Sequence, residues 1–290
     1  MSNLPQINRK IKSVRVTSRI TRALEIVSAT QSHIYRDLQS KSLVYFQGIY
    51  KIFYEVFSDP EHDIRETNKR LISFSRKKRE LWLLLGTDIG MCGDMNDQMK
   101  KYILHAFNPK GDGLVVLGNR LASSIEKDLG QYFEFKDKSE LGVRNANSSI
   151  RKLTKRLFNL FMDKGYQKLT IVYMKDPKKG ILEKLNLLPF TEKYFSNRKK
   201  VFVSSFNAQV KYPDVVIDLF PQYLECIILG AVISSKLGEH LIRRELMNSA
   251  TKNANELLDE YTLLFNKIRQ SNITQEITEI VVASQFKTKK

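Results

Sequence analysis

A glycine-containing segment at residues 87–96, TDIGMCGDMN, has residue types that could hold a phosphate. It follows an apolar run and opens a predicted helix, and glycines at such a turn can present backbone N–H groups to an anion. Its spacing differs from the Gly-Lys-Ser/Thr ending of the nucleoside-triphosphate loop and from the GxGxxG pattern of dinucleotide sites. The segment therefore predicts a tight turn with positive backbone angles, in preference to a nucleotide site.

The histidines and cysteines form no recognisable catalytic or metal-binding set. Histidines stand at positions 33, 62, 105 and 240, without the spacing of metal ligands. His33 and His240 fall on predicted long helices, where surface or packing roles are expected. Cys92 begins a helix, where a thiol can be acidified, but no base lies nearby in the sequence, so a structural role is favoured. Cys92 and Cys226 are expected to be reduced thiols of a cytosolic protein, and no metal or cofactor is predicted.

The C-terminal stretch from Met247 onward carries an apolar seam suited to a long helix. Its members step by three and four residues, as in a coiled coil: Met247, Ala250, Ala254, Leu257, Tyr261, Leu264 and Ile268. No proline or glycine follows Gly238, so nothing interrupts the run. Such a helix needs a partner that covers its seam. The basic pair at 243–244 and the residues at 269–270 lie on this helix, where a solvated face is the simplest interpretation.

The N-terminal stretch, from Leu4 to about Phe57, is the predicted partner. One seam comprises Ile7, Ile11 and Val14, and a second comprises Ile20, Leu24, Val27, Gln31, Ile34, Leu38, Lys41, Tyr45 and Ile52. The step from Val14 to Ile20 breaks the register as a stutter does. The alternative is two ordinary helices with a break near Gly48, which is less favoured because neither end carries a strong stop signal.

The middle of the chain differs from the two helical ends, because short apolar runs alternate there with amphipathic stretches. Strands are predicted at 80–86, 113–118 and 168–174, and helices at 95–107, 120–130 and 148–164. This alternation is typical of a largely parallel sheet. Residues 201–210 are also strand-like, and residues 214–225 lead through Pro221 into the final helix.

The predicted class is therefore α/β. The N- and C-terminal helices form a long antiparallel coiled coil, and a Rossmann-like α/β domain is inserted between them. The predicted boundaries are a coiled-coil helix at 1–57, the globular α/β domain at 58–210 and a second coiled-coil helix at 211–290.

The net charge of +17 points to acidic partners. The basic clusters are scattered, and the chain carries no RNA-recognition, zinc or basic-zipper signature. A basic nucleic-acid-binding protein with a coiled-coil oligomerisation arm is therefore the alternative function. No apolar leader opens the chain, and the apolar run at 227–233 is too short to span a bilayer, so no direct membrane insertion is expected.

Several ordered motifs run along nearly the full length of the chain. They comprise IKSVR at 11–15, ITRALEIV at 20–27, DIGMCGDMN at 88–96, DLFPQYLE at 218–225, EH at 239–240, NSATKNA at 248–254 and NKIRQSNITQEITEI at 266–280. With these motifs the chain resembles the gamma subunit of rotary F-type ATP synthases. In that family the coiled coil penetrates a hexamer of alternating alpha and beta subunits, and the beta subunits make or hydrolyse ATP. The resemblance thus implies a non-catalytic subunit.

The resemblance also implies which residues act and where. Contacts to the catalytic hexamer fall on Arg243, Arg269, Gln270, Thr274 and Glu276. An epsilon subunit and a membrane ring, or a divergent replacement of that ring, are further implied partners, and nucleic acid is not. The implied location is cytoplasmic and peripheral, at the inner face of the cell membrane.

The outward end of the shaft departs from the family pattern. Lys211 and Tyr212 precede Pro213 where the family commonly has an acidic residue. These two positions are predicted to attach the rotor to its ring or other load, and the departure suggests a divergent paralogue that drives mechanical work other than proton transport. Abundant Lys, Asn, Ile and Phe are typical of an AT-rich genome such as that of a mollicute. Whether ATP is made or consumed, and the direction of rotation, stay open at this point.

Overall fold

A computed structural model describes residues 4–57, 79–139, 146–176, 181–188 and 212–287 of the chain. The helices are α1 (Leu4–Phe57), α2 (Met95–Ala106), α3 (Asn119–Leu129), α4 (Ala146–Asp163) and α5 (Tyr212–Lys287). The strands are β1 (Glu80–Leu85), β2 (Gly113–Leu117), β3 (Phe133–Asp137), β4 (Lys168–Asp176) and β5 (Ile181–Leu188). The long terminal helices and the central α/β order confirm the predicted class. The strand-like residues 201–210 lie outside the described residues.

The strands form one sheet in the order β3-β2-β1-β4-β5. β1 pairs in parallel with β2 and β4, β2 pairs in parallel with β3, and β4 pairs antiparallel with β5. The three predicted strands, β1, β2 and β4, are confirmed. They lie in the centre of the sheet, where both faces are covered, which explains why each reads as an unbroken apolar run.

Two strands, β3 and β5, were not predicted from the sequence, and both lie at the edges of the sheet. β3 reads FEFKD and β5 reads ILEKLNLL, so charged side chains interrupt the apolar ones. Edge strands have one unpaired side and commonly carry charges that discourage pairing with other chains. Their mixed composition therefore gives a weak strand signal.

Alternate residues of the strands contribute to two cores on opposite faces of the sheet. Leu81, Leu83 and Leu85 of β1 pack with the buried sides of α4 and α5. Trp82 and Leu84 point the other way and pack with α2 and α3. The period of two residues that a strand imposes thus produces three layers from one apolar run.

Contacts within the chain divide it into two units. One comprises residues 1–29 and 243–290, and the other comprises residues 30–242. In the first unit the segments of α1 and α5 run antiparallel, since Lys10 contacts Tyr261 and Ser18 contacts Asn255. In the second unit Tyr35 stacks on His240 and Gln39 contacts Ser234, so the two helices run in opposite directions there as well. The segments predicted from element order, at 1–57, 58–210 and 211–290, stay a prediction.

The predicted seam of α1 is partly wrong. Ile7 and Ile11 are buried as expected, but Ile20 and Val27 are 54% and 55% exposed. The buried positions that follow are small hydroxyl residues, Thr21, Ser28 and Ser32, together with Tyr35. Thr21 meets Thr251 of α5, with 2.8 Å between their hydroxyl oxygens. The apolar pattern misled because small polar side chains form the covered stripe here. The prediction of one long helix is confirmed, since α1 continues through Gly48 to Phe57, and the less favoured alternative of two helices with a break near Gly48 is wrong.

The predicted seam of α5 is right at five of its seven positions. Met247 and Ala254 are buried, and Ala250, Tyr261 and Ile268 are half-buried. Between them the covered residues are Thr251, Leu258 and Phe265, whereas the predicted Leu257 and Leu264 are exposed. The steps are four then three, instead of three then four. Among the described residues, no helix contains an apolar stretch of the length that a bilayer crossing requires.

Candidate functional site

The end of α5 presents four of the five predicted contact residues to solvent. Arg269, Gln270, Thr274 and Glu276 are all exposed. The Thr274 hydroxyl donates to the carbonyl of Gln270 at 3.0 Å, which ties it to its own helix. Arg269 and Glu276 are seven residues apart and share one face, while Gln270 and Thr274 are four apart and share another. Within this stretch the polar groups are suited to recognising a protein surface rather than to bond chemistry.

An exposed apolar stripe accompanies these polar residues. Ile273, Ile277 and Ile280 are 47%, 56% and 69% exposed, and their spacing of four and three residues aligns them along the helix. Arg269 and Glu276 lie along one side of the stripe, and Gln270 and Thr274 lie along the other. A face with an apolar centre and a polar border has the composition of a protein interface. The stripe of isoleucines was not among the predicted contacts, although its i, i+4, i+7 spacing is visible in the sequence.

Arg243 differs from the other four predicted residues. It is 4% exposed and already has interaction partners within the chain. It precedes Arg269 by 26 positions, which is about 39 Å along a helix. The structure therefore brings together the residues at 269–276 and leaves Arg243 as a buried residue at a distance from them.

The predicted load-attachment pair lies at the start of α5. Lys211 is outside the described residues, and α5 begins at Tyr212, of which only the backbone is described. The role of both residues stays a prediction.

The glycine-containing segment forms the predicted tight turn. Met91 and Gly93 have φ values of 59° and 68°. Asn96 and Thr87 close the turn, since the Asn96 amide donates to the Thr87 hydroxyl at 2.8 Å and accepts from the Thr87 N–H at 3.2 Å. Cys92 is 1% exposed inside it. The positive backbone angles and the structural role of Cys92 are confirmed.

Asp88 of this turn occupies the place where a parallel sheet normally holds an anion. Its carboxylate accepts the N–H of Asn119, at the start of α3, at 3.0 Å. It also accepts the N–H of Ser139 at 3.0 Å and the Ser139 hydroxyl at 2.8 Å. These donors lie at the carboxyl ends of β2 and β3, the edge at which open α/β folds bind phosphates. The chain's own carboxylate uses the donors that a bound phosphate would need.

The charge state of Asp88 follows from the same contacts. Burial alone raises the pKa of this carboxyl, but the hydrogen bonds from Asn119 and Ser139, together with the Lys236 ammonium, hold the pKa below its usual value. The group is therefore ionised at neutral pH and serves as a permanent acceptor.

Cys226, His33 and His240 have packing or surface roles, and His62 lies outside the described residues. Cys226 is 2% exposed and unpaired with another cysteine, and burial, with Glu225 nearby, raises the pKa of its thiol to about 11. His240 stacks on Tyr35 with ring centroids 5.5 Å apart, and His33 is exposed. No group of three or more metal-ligating side chains is found among the described residues.

The cations of α4 illustrate the scatter of the positive charge. Arg151 pairs with Glu225 at 3.4 Å, and the Arg156 guanidinium lies 3.7 Å from the ring centroid of Phe135. Lys152 and Lys155 are exposed on the same helix. Two of the four cations thus have intramolecular contacts, which weakens the case for a continuous nucleic-acid surface.

Known proteins resemble this chain over nearly its whole length. A family model described as ATP synthase matches residues 3–285. The ATP synthase gamma chain of Malacoplasma penetrans is 31% identical over 294 residues, covering 97% of this chain and 98% of the relative. That of Mycoplasma mobile is 29% identical, covering 98% and 99%. That of Clostridium perfringens is 28% identical, covering 97% and 96%.

Solved structures agree in fold. The first is a central stalk and c-ring chain of the Tetrahymena thermophila mitochondrial ATP synthase, with a TM-score of 0.59, 16% identity, and coverage of 80% of this chain and 99% of that one. The second is from the OSCP/F1/c-ring part of the Euglena gracilis mitochondrial ATP synthase, with a TM-score of 0.54, 17% identity, and coverage of 93% and 94%.

Proposed function

The chain belongs to the ATP synthase gamma-chain family, and from that premise we propose how it works as the central rotor shaft of an F-type or F-like ATPase. The match across residues 3–285 carries the proposal. The shaft is a non-catalytic subunit: nucleotide chemistry takes place in its partners, and this chain converts rotation into changes of their nucleotide affinity.

The partners follow from the family. A hexamer of alternating alpha and beta subunits surrounds the end of α5, and the apolar stripe of Ile273, Ile277 and Ile280 supports this placement because it needs a protein cover. The exposed Arg269, Gln270, Thr274 and Glu276 form the polar contacts beside it. Arg243 stays a predicted fifth contact, and its burial within the chain sets it apart from the other four. An epsilon subunit, together with a membrane ring or a divergent replacement of that ring, completes the assembly at the inner face of the cell membrane.

Coupling arises from asymmetry. One shaft inside a ring of three equivalent catalytic sites cannot make the same contacts with all three at once. Each orientation stabilises a different nucleotide state at each site, and only such differential contacts can shift a conformational equilibrium. Since this linkage is reciprocal, ATP turnover turns the shaft, and turning the shaft changes nucleotide affinity.

The contact residues are tested in the assembled complex with Arg269→Ala and Gln270→Ala. We expect ATPase turnover to fall roughly fivefold or more, as loss of about 1 kcal/mol at an interface would cause. Lys252→Ala is the control, because Lys252 is exposed on the same helix away from the stripe. Unchanged turnover in an intact complex would contradict the assigned role, and a salt-sensitive gel shift by the chain alone would support nucleic-acid binding instead.

The load is proposed from the departure at Lys211 and Tyr212. A foot without the acidic residue that the family commonly has there suits a load other than a proton-conducting ring. Purification of the native assembly tests this idea. Co-purified ring subunits with proton-coupled ATP synthesis would refute it, and an assembly with unrelated attached proteins would support it.

A further inference from the structure

A buried charge cluster joins α5 to the sheet edge that Asp88 occupies. Lys236 and Glu239 of α5 are 5% and 3% exposed. The Lys236 ammonium donates to a Glu239 carboxylate oxygen at 2.9 Å and lies 3.9 Å from an Asp88 carboxylate oxygen. Close by, the Ser235 hydroxyl donates to the carbonyl of Leu85 at 3.4 Å. Two buried charged groups beside a half-buried one are costly to remove from water, so the arrangement calls for a physical reason.

The surroundings of α5 supply that reason. Between Phe220 and Glu239 the helix is buried around most of its circumference, mainly by apolar contacts; the buried side chains include Tyr223, Leu224, Cys226, Ile228, Ala231, Val232 and Ile233. Hydrophobic burial is non-directional. A helix that is apolar on most sides gains little from one rotation about its axis over a neighbouring one. A directional contact is needed to fix the rotation.

The Asp88 end of the contact is firmly held. The turn that carries Asp88 follows β1, and its carboxylate is bound by donors that follow β2 and β3. Force applied to this carboxylate is therefore distributed over three parallel strands. Lys236 is attached to α5 by its own backbone and is held in place by Glu239, one turn along the helix.

We propose that Asp88 and Lys236 are positioning residues that lock the rotation of α5 against the sheet, so that the helix and the α/β domain turn together. This inference rests on the proposed rotor function. The lock lies within the unit formed by residues 30–242, and α5 continues as one helix to Lys287. Torque on the last part of α5 is then delivered to the sheet through a charged contact in addition to apolar packing.

The test uses the assembled ATPase with a rotation probe on the α/β domain. Lys127, exposed on α3, is replaced in Lys127→Cys for attachment, and the native thiols are both buried. In this background we compare Lys236→Met with Lys236→Arg, which keeps the charge, and with Lys252→Met, an exposed control. We expect ATP turnover within about twofold of the parent, while the angular variance of the probe at each dwell roughly doubles in Lys236→Met. Lys236→Arg should restore the parent variance.

A second measurement tests the inference even if Lys236→Met fails to assemble with the ATPase subunits. In the isolated chain, Asp88→Asn and Lys236→Met should each accelerate amide hydrogen exchange at Asn119 and Ser139 by roughly tenfold, because these amides donate to Asp88. Unchanged probe variance with intact turnover, or unchanged exchange in both variants, would overturn the inference. Failure of the rotor function itself would look different: the parent chain would not rotate with ATPase subunits, while the exchange result would still stand.

Discussion

Replacing Asp112 by alanine should destabilise the α/β domain, and the chain contains its own reporter for that change. Asp112 is 9% exposed and precedes β2. Its carboxylate accepts the Trp82 indole N–H, the Glu80 N–H and the Asn108 N–H, each at 3.0 Å. It thereby links the start of β1 to the loop before β2. Trp82 is the only tryptophan of the chain and is 1% exposed.

The magnitude follows from how well water can replace each lost bond. The indole of Trp82 is buried, so its orphaned N–H costs about 2 kcal/mol. Glu80 is half-buried, so the loss of the hydrogen bond from its N–H should cost about 1 kcal/mol. Asn108 is exposed, and water can satisfy its N–H at little cost. The free energy of unfolding should therefore fall by about 3 kcal/mol.

Urea unfolding followed by Trp82 fluorescence measures this loss. With a slope of about 2 kcal/mol per M, the midpoint should move down by about 1.5 M. Asp128→Ala is the matched control. Asp128 forms an ion pair with Lys100 at 2.8 Å, with side-chain exposures of 43% and 32%, so its removal should cost less than about 1 kcal/mol.

The result that would refute this reasoning is a midpoint shift for Asp112→Ala no larger than that of Asp128→Ala. Such a result would mean that the three hydrogen bonds do not restrain β1. A large shift without a change in the native Trp82 emission would instead place the effect in the Glu80 and Asn108 bonds, since the indole environment would be unaltered.

Three further predictions concern pH, glycine and thiol chemistry. Because the pKa of Asp88 is lowered in the folded state, its contribution is present above the unfolded value of about 3.9 and is lost as pH falls through the folded pKa. Urea titrations from pH 6 to about pH 2 should therefore show a shallower loss of stability in Asp88→Asn than in the parent, and parallel profiles would contradict this. Gly118→Ala should destabilise by about 2 kcal/mol or more, because φ is +115° and an added Cβ would lie 2.6 Å from the carbonyl carbon of Gly86. Gly48→Ala, in open space within a helix, should stabilise by about 0.5–1 kcal/mol in the same thermal melt, and equal melting temperatures would refute the contrast. Cys226 should resist iodoacetamide at pH 8 in the native chain and react after unfolding, since burial raises its thiol pKa to about 11; rapid native labelling seen by mass spectrometry would count against this.

The sequence predicted the centre of the fold better than its borders. β1 and β4 are apolar on both faces, so a continuous apolar run in the sequence predicts each strand. β3 and β5 mix charges with apolar residues at the sheet edges, and no local pattern separates them from loops. Apolar runs therefore predict the strands that are buried on both faces and miss the strands at the edges.

The helical seams show a second reason for partial success. Ile20 and Val27 satisfy the heptad pattern yet are exposed, while Thr21 and Ser28 are covered. Hydrophobicity ranks the isoleucine and the valine first, whereas the packing of α1 favours small side chains. The identity of the covered stripe depends on the facing helix, as the Thr21–Thr251 hydrogen bond illustrates, and that information is not local.

In the candidate site, too, local features could be predicted from the sequence, whereas features that depend on distant residues could not. Exposure of Arg269 to Glu276 was expected of a solvated helix face. The role of Asp88 was not, because its partners Asn119 and Ser139 lie 31 and 51 positions away along the chain. Only the parallel order of β1, β2 and β3 brings these three residues to one edge.

The carboxylate of Asp88 at the sheet edge also protects the subunit chemically. A gamma chain operates beside catalytic sites that exchange ATP, ADP and phosphate, and a vacant anion cradle in its α/β domain would bind those metabolites in competition. A built-in carboxylate is present at an effective concentration that no freely diffusing phosphate can match. The donors of Asn119 and Ser139 are thereby kept from free phosphate and nucleotides.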